Sequence, residues 1–348
     1  MLAPGESRRM LVRGERAAGC AVDVLTGFAA LECERAAWTD LWERTPDATP
    51  FESAAWTLAW ARHFAPDRMY AVVARADDGL CALVPFFTWE GKLLLAGTGP
   101  SDYGDGLFGS ADPHIAAAVL MRLCEAAVEL DCGSIDLQQL RGGSQLLNAQ
   151  APRGWHSEIT AGTACPAAPI RGPDGAAAVS THWRKNAARA ERQLQREFVL
   201  EARCAEQHEL PVAASTLERL HRLRWGARDT SQAFDDAPMR AFLYDAIPQL
   251  GADGLLRLQC LRIGGETVAM VFAMGTPRAH YFYMSGFDPR WSRYSTGLVT
   301  IIAAMRQAAR EHAQQFHFLR GNEAYKYHLG ATDQPTYRRI LRPVNATH

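Results

Sequence analysis

Several signatures that identify common enzyme classes are missing from this chain of 348 residues. Its eight cysteines include no Cys-x-x-Cys pair, and no cysteine and histidine spacing is typical of a zinc site. The chain has no Ser-His-Asp nucleophile elbow, no phosphate loop of the nucleotide-hydrolase type and no His-Glu-x-x-His sequence. We therefore expect no bound metal and set those reaction classes aside.

Long apolar runs and a strong net charge are also absent. No run approaches 18 apolar residues, so we predict no membrane insertion. The arginine-containing residues 1–18 have no signal-peptide core and are predicted to form a mobile tail. A net charge of −1 disfavours nucleic acid as a partner. Cysteines within apolar runs indicate buried free thiols, which favours a reducing, cytoplasmic location.

The composition is that of a globular protein, with 48% hydrophobic and 22% charged residues, and the length suits two domains. In the C-terminal half, apolar periodicity predicts strands at 255–263, 267–274 and 280–287, a helix at 298–309 and a strand at 316–319. In the N-terminal half, two helices at 34–44 and 53–63 precede the same order: strands at 69–75, 80–87 and 92–96, a helix at 113–130 and a strand at 134–140.

Between the halves, residues 161–178 are rich in Gly, Ala and Pro and are predicted to be a linker. A helix is predicted at 181–197, with one apolar face and one basic face. The basic face consists of Lys185, Arg189, Arg192 and Arg196. It is interpreted either as a solvated helix surface or as a surface that binds phosphate groups.

The most informative segment is 316–331, which reads FHFLRGNEAYKYHLGA. A short apolar strand stops at the turn-forming Arg320-Gly321-Asn322. Four side chains that could carry chemistry follow within six positions: Glu323, Tyr325, Lys326 and His328. A loop of this kind after a strand is how a rigid scaffold presents reactive groups, although a polar surface loop after an edge strand is the alternative.

This segment resembles the strand-RG[DN]ExYK signature of the cellulose-biosynthesis-type acetyltransferases. They form a branch of the GCN5-related N-acetyltransferase (GNAT) superfamily, close to the Fem-type aminoacyl transferases. The sequence WRKNAARAERQL at 183–194 also resembles their arginine-rich linker helix. The resemblance implies an α/β fold of two tandem GNAT-like domains, each a mixed, mostly antiparallel sheet flanked by helices. It places these domains at 19–160 and 198–348, joined by a linker and basic helix at 161–197, with the second domain binding the acyl donor.

The resemblance also implies a donor site for acetyl-CoA or another acyl-CoA. In GNAT enzymes the pyrophosphate binds at the N-terminus of the helix after the third strand, where free N–H groups and the helix dipole favour an anion. The matching residues here are Arg290, Arg293, Ser295, Thr296 and Gly297, without the usual glycine-rich loop. The thioester is expected at Met284 and Ser285, with Gly286 permitting a bulge. An ordinary capped helix with exposed arginines is the alternative.

Acyl transfer to an amine requires a base for the attacking nitrogen and an acid for the leaving thiolate. Glu323 or His328 suits the base, Tyr325 suits the acid, and Lys326 suits stabilisation of an oxyanion or binding of a phosphate. The glycine-dense loop 97–106 resembles an S-D-Y-x-D stretch of the family. We therefore expect the acceptor to contact Asp102, Tyr103, Asp105 and, on the third strand, Tyr283. A tight turn also explains the glycines of this loop.

The expected function is transfer of an acyl group, most simply acetyl, from acyl-CoA to an amine or hydroxyl of a small molecule or saccharide. One alternative is aminoacyl transfer from charged tRNA, as in Fem-type enzymes, for which only the basic helix face offers a cationic surface. A second alternative is a GNAT-derived binding protein without catalytic activity.

Overall fold

The computed structural model describes residues 16–17, 19–77, 79–172, 174–225 and 233–344. The chain divides into two compact units, Met1–Gly162 with Thr336–His348, and Thr163–Pro335. In the described part of the chain, no helix is long and apolar enough to span a membrane. The same residues contain no cluster of three or more His, Cys, Asp or Glu side chains that could hold a metal ion.

The first unit is built on a nine-stranded sheet in its described residues. Numbered along the chain, its strands are β1 Arg16–Ala17, β2 Cys20–Thr26, β3 Met69–Ala76, β4 Gly79–Trp89, β5 Lys92–Leu95, β6 Leu107–Phe108, β7 Ser134–Arg141, β8 Trp155–Ala161 and β15 Thr336–Pro343. The spatial order is β1-β2-β3-β4-β5-β7-β15-β8, and β6 pairs with β4.

In the part of this unit that the structure describes, five helices accompany the sheet: α1 Phe28–Cys33, α2 Arg35–Arg44, α3 Ala54–Phe64, α4 Pro113–Glu129 and α5 Gln145–Asn148. A 3-10 turn at Pro50–Glu52 precedes α3. The apolar positions of α4 recur at helical spacing, and Val119 and Leu123 pack into one buried core with Val72 and Val84 of the sheet. Burial of this apolar face holds α4 on the sheet.

The second unit is built on a six-stranded sheet in its described residues. Its strands are β9 Ala167–Pro169, β10 Leu200–Cys204, β11 Leu256–Ile263, β12 Glu266–Gly275, β13 Ala279–Phe287 and β14 Gln315–His317, in the order β10-β11-β12-β13-β14-β9. Its helices are α6 Thr181–Glu197, α7 Leu210–Trp225, α8 Ala237–Ala252, α9 Thr296–Arg310 and α10 Ala324–His328.

The two sheets share one topology, as the sequence predicts. In each, four antiparallel strands lead to a pair of parallel strands joined by a helix: β5 and β7 through α4, and β13 and β14 through α9. A further antiparallel strand covers the outer side of the last parallel strand, β15 in the first unit and β9 in the second.

These two covering strands correct the predicted domain limits. Strand β15 pairs with β7 and β8, so Thr336–Pro343 belongs to the first unit and not to a C-terminal domain at 198–348. The predicted linker contains β9, whose buried Ala167 and Ala168 pair with β14, and α6 lies in the second unit. Strand pairing over long sequence separations leaves no local pattern in the sequence, which is why β9 and β15 were not predicted.

The predicted tail falls mainly on residues 1–15 and 18, which lie outside the described residues. Within it, Arg16–Ala17 forms β1 and pairs with β2. The segment predicted as a loop after the last strand is the short helix α10.

Candidate functional site

In the second unit, the parallel pairing of β13 with β14 ends after three residue pairs, where β14 itself ends. Ala279, His280 and Tyr281 pair with 315–317, and the rest of β13 has no partner on β14. The β13 strand also contains a bulge: Phe272 pairs with Met284 and Ala273 with Phe282, so Tyr283 is the extra residue. An interrupted ladder at a strand separation is where backbone N–H groups can reach a ligand carbonyl.

Gly286 does not form the bulge, contrary to the sequence-based expectation. A Cβ atom at this position would lie 2.3 Å from the backbone nitrogen of His221 in α7. Gly286 is therefore required for the close approach of α7 to β13. Burial lowers the pKa of His221 to about 4, which keeps this imidazole neutral within the contact.

A cation that the sequence analysis missed lies beside the bulged strand. Arg224, at the end of α7, donates a hydrogen bond to Ser285 Oγ and lies over the Phe287 ring, 5.4 Å from its centroid. The Arg224 charge also acts on Tyr325 of α10. Burial raises the pKa of Tyr325, and Arg224 opposes that shift, so this phenol stays protonated over the neutral range. Arg224 thus contacts the predicted residue Ser285 and acts electrostatically on the predicted residue Tyr325.

Lys326 is 2% exposed, and its ammonium group is saturated by the loop that precedes α10. It donates to the carbonyl oxygens of Leu319, Arg320 and Gly321 at 3.2, 2.6 and 3.2 Å. It also pairs with Glu323 Oε2 at 2.9 Å. This geometry gives Lys326 a structural role in holding the loop.

Glu323 and His328 are exposed, unlike Lys326. Glu323 precedes α10 as its N-cap residue without a side-chain capping bond, and its side chain is 53% exposed. The His328 ring stacks on Trp183 of α6, with centroids 5.0 Å apart. Stacking on a tryptophan accounts structurally for this histidine, whereas the Glu323 side chain remains largely exposed.

The loop between β13 and α9 differs in detail from the expectation. Arg290 is held by Asp288, at 2.6 Å, and by Glu266, at 3.4 Å. Arg293 donates to the Tyr294 hydroxyl and covers that ring. These contacts occupy both guanidinium groups with protein partners.

The N-terminus of α9 itself has no side-chain cap. Ser295 adopts a left-handed conformation with φ of 51° and forms no capping hydrogen bond. Thr296 Oγ1 is buried and has no hydrogen-bond partner among the described residues. Gly297 follows, and a Cβ atom there would lie 3.2 Å from the Phe287 ring. An uncapped helix N-terminus with an unsatisfied hydroxyl suits a bound anion.

In the first unit, the glycine-dense loop places Asp105 at a cleft. Gly104 and Gly106 let the loop lie directly on the sheet, since Cβ atoms would come within 2.7 Å of the Gln138 carbonyl oxygen and 2.4 Å of Val84. Asp105 lines a cleft of about 440 Å³ together with Glu52, Arg141 and Ser144. Asp102 and Tyr103 are buried, and neither is among the residues lining this cleft.

Of the residues missed by sequence reasoning, only Glu52 had a recognisable signal. Thr49 and Glu52 form a capping box, whose Thr-x-x-Glu spacing is visible in the sequence. Arg224 sits in a helix with several arginines, and no local pattern distinguishes it from them.

Comparisons with known proteins bear on the fold described above. Residues 181–327 match the family model described as "Acetyltransferase (GNAT) domain". The second unit has the GNAT fold. No curated protein matches the sequence.

Two solved structures resemble nearly the whole chain. The crystal structure of FemX aligns with a TM-score of 0.64 at 11% identity, covering 88% of this chain and 95% of FemX. A conserved protein of unknown function from Bacteroides thetaiotaomicron VPI-5482 aligns with a TM-score of 0.62 at 14% identity, covering 89% and 97%. At these identities the likeness concerns the fold, and it extends over both units.

Proposed function

We propose that this protein is an acyltransferase that moves an acyl group, most simply acetyl, from acyl-CoA to an amine or hydroxyl of a small molecule or saccharide. The observation that carries the proposal is that the β13–β14 pairing ends beside the Tyr283 bulge, on the strand that leads through a 3-10 helix at Pro289–Tyr294 to the uncapped N-terminus of α9. This combination offers backbone donors for a carbonyl and an anion site for a pyrophosphate within one unit. The cellulose-biosynthesis-type branch and a saccharide acceptor rest on the sequence resemblance.

The side chains suit the donor at two positions. Thr296 Oγ1 is buried without a partner and can donate to a phosphate oxygen. Arg224 supplies positive charge beside Ser285, where the thioester is expected. Arg290 and Arg293 are engaged with protein groups, so we assign them only a contribution to the local field.

For proton transfer, we assign Tyr325 as the acid and Glu323 as the base. Tyr325 keeps its proton at neutral pH because burial raises its pKa, so it can deliver that proton to a leaving thiolate. Glu323 is exposed and makes no side-chain capping bond to the backbone of α10. Its Oε2 pairs with Lys326, which leaves Oε1 to accept a proton from the acceptor. Lys326 holds the loop that leads to both groups.

Calorimetry with coenzyme A and acetyl-CoA tests the donor site. Replacing Thr296 by Val removes one hydroxyl at constant shape and should weaken binding by about 10- to 100-fold, the effect of one hydrogen bond to a charged group. Thr300→Val is the matched control, because the Thr300 hydroxyl donates to the Thr296 carbonyl within the same helix. Absence of binding to coenzyme A and to every acyl-CoA at millimolar concentration would refute the proposal.

The basic face of α6 favours the second candidate function, aminoacyl transfer from tRNA. Lys185, Arg189, Arg192 and Arg196 are exposed, and none forms an ion pair with another described residue. Such a face should bind RNA with an affinity that falls steeply with salt. Replacing Arg189 and Arg192 by Glu should abolish tRNA binding under this function and leave acetyl-CoA binding unchanged. Tight, salt-dependent tRNA binding without acyl-CoA binding would favour this candidate.

A further inference from the structure

The cleft of the first unit contains two carboxyl groups that the donor site does not use. Its charged lining residues are Asp47, Glu52, Asp105 and Arg141. All four belong to the first unit, and the cleft is large enough for a small organic molecule.

The Glu52 side chain is fixed in place, but only one of its two carboxylate oxygens accepts hydrogen bonds from described residues. Its Oε2 accepts hydrogen bonds from the Thr49 backbone N–H and hydroxyl, each at 2.6 Å. The indole N–H groups of Trp38 and Trp42 donate to the carbonyl oxygens of Glu52 and Thr49, which fixes the backbone of this turn. The residue is 5% exposed, and its Oε1 has no hydrogen-bond partner among the described residues. A buried carboxylate oxygen without a donor is costly, and a ligand donor would remove that cost.

Asp105 offers a second free acceptor at the same cleft. Its Oδ1 accepts from the Gly106 N–H at 2.8 Å and from Ser144 Oγ at 2.9 Å. Its Oδ2 accepts no hydrogen bond from any described residue. Burial raises the pKa of Asp105 to about 7; Arg141 opposes this shift, and the Glu52 carboxylate adds to it. The two carboxyl groups therefore interact electrostatically within one cleft.

The cleft lining also contains one cation, Arg141. Arg141 donates to the Asp47 carbonyl oxygen and lies over the Tyr103 ring, 5.7 Å from its centroid. Its charge lowers the pKa of Glu52 and of Asp105, against the effect of burial. The charged lining nevertheless consists of three carboxyl groups and one guanidinium group. Together with the fixed acceptors, this excess of carboxyl groups favours a ligand that is cationic and donates several hydrogen bonds.

We propose that this cleft binds a primary ammonium group, held by Glu52 Oε1 and Asp105 Oδ2. An ammonium ion has three N–H donors at tetrahedral angles, which is enough for both oxygens. That the bound amine is the acyl acceptor rests on the proposed function. The binding of an ammonium group by this cleft is independent of that function.

The test uses the full chain without any acyl donor, so its result is independent of acyl transfer. Saturation-transfer NMR is recorded with ethanolamine, 1,4-diaminobutane and D-glucosamine, each compared with its N-acetylated counterpart. The free amines should bind at least tenfold more tightly than the acetylated forms, since a charge-assisted hydrogen bond corresponds to about 10- to 100-fold in affinity.

Two conservative variants and one control complete the experiment. Glu52→Gln and Asp105→Asn keep the hydrogen bonds that fold the loop and remove the charge, so each should weaken amine binding by about tenfold or more. Glu43→Gln, on the exposed face of α2, should bind as the unmodified protein does. Equal binding of the amines and their acetylated forms would overturn the proposal. Unchanged binding by both cleft variants, or no saturable signal from any amine up to about 10 mM, would also overturn it.

Discussion

The ammonium group of Lys326 lies 2.6 Å from the carbonyl oxygen of Arg320, inside the loop that joins β14 to α10. The neighbouring Leu319 and Gly321 have φ angles of 60° and 108°, and their carbonyl oxygens accept from the same nitrogen. One buried cation therefore organises a turn whose backbone is in the left-handed region at two positions. Residues that hold such a turn position the groups that follow it, here Glu323 and Tyr325.

Lys326→Met should destabilise the fold, because it leaves three carbonyl oxygens of the turn without their donor while keeping the chain length. We expect the free energy of unfolding in urea to fall by about 2–4 kcal/mol. Lys185→Met, on the exposed face of α6, is the matched control and should change it by less than about 0.5 kcal/mol. If both variants are equally stable, Lys326 does not hold the turn.

The structure of the segment around Lys326 could be predicted only in part from the sequence. The run of ionisable residues and its family resemblance point to this turn, and helix α6 begins and ends where periodicity predicts, at Thr181 and Glu197. The burial of Lys326 could not be predicted, because it depends on three backbone carbonyl groups that converge only in the folded turn. A lysine in a polar segment is normally exposed, so composition argues against the observed arrangement.

Gly286→Ala should weaken the packing of α7 on β13. The added methyl group would meet the backbone of His221 and Leu220 at 2.3 and 2.4 Å, and backbone atoms cannot rotate away as a side chain can. We expect a loss of about 1–3 kcal/mol or more in the free energy of unfolding. Gly133→Ala serves as the control, since the nearest atom to its Cβ would be 3.9 Å away. Equal stability of the two variants would show that α7 can move aside without cost.

The stability of Asp105→Asn relative to the unmodified protein should depend on pH. The Asp105 pKa rises from 3.8 to about 7 on folding, so the folded state holds this proton more tightly. That stabilisation is complete below the unfolded pKa and is lost as the pH rises towards 7, at up to about 1.4 kcal/mol per pH unit.

Asparagine has no such proton to lose. The stability difference in favour of Asp105→Asn should therefore grow between about pH 4 and 7 and stay constant above about pH 8. Urea unfolding of both proteins across this range measures it, and Glu43→Gln controls for the loss of one surface carboxyl. A difference that does not change with pH would mean that Asp105 is not perturbed as described.

Most of the structure that the sequence did not predict depends on contacts between residues far apart in the chain. Strand β15 is recognised only by its pairing with β7, between Tyr337 and Leu140 for example, almost 200 positions apart in the chain. The link from Arg224 to Ser285 likewise spans two elements whose meeting depends on Gly286. Local periodicity found most of the helices and strands, whereas tertiary contacts decided which of the candidate site residues lie together.

Tyr325→Phe tests the assignment of the acid that protonates the leaving thiolate. Phenylalanine keeps the edge-to-face contact with Phe318, at 6.4 Å between ring centroids, so the fold should be retained. Loss of the proton donor should lower kcat by about 100-fold, measured as thiol release from acetyl-CoA with D-glucosamine as the trial amine. Because burial raises the Tyr325 pKa, the unmodified protein should show no loss of kcat from this group as the pH rises from neutral to about 9.

Glu323→Gln should lower kcat similarly, whereas Arg310→Ala, on the exposed end of α9, should have no effect. Activity of Tyr325→Phe within a few fold of the unmodified protein would show that the thiolate takes its proton from another group.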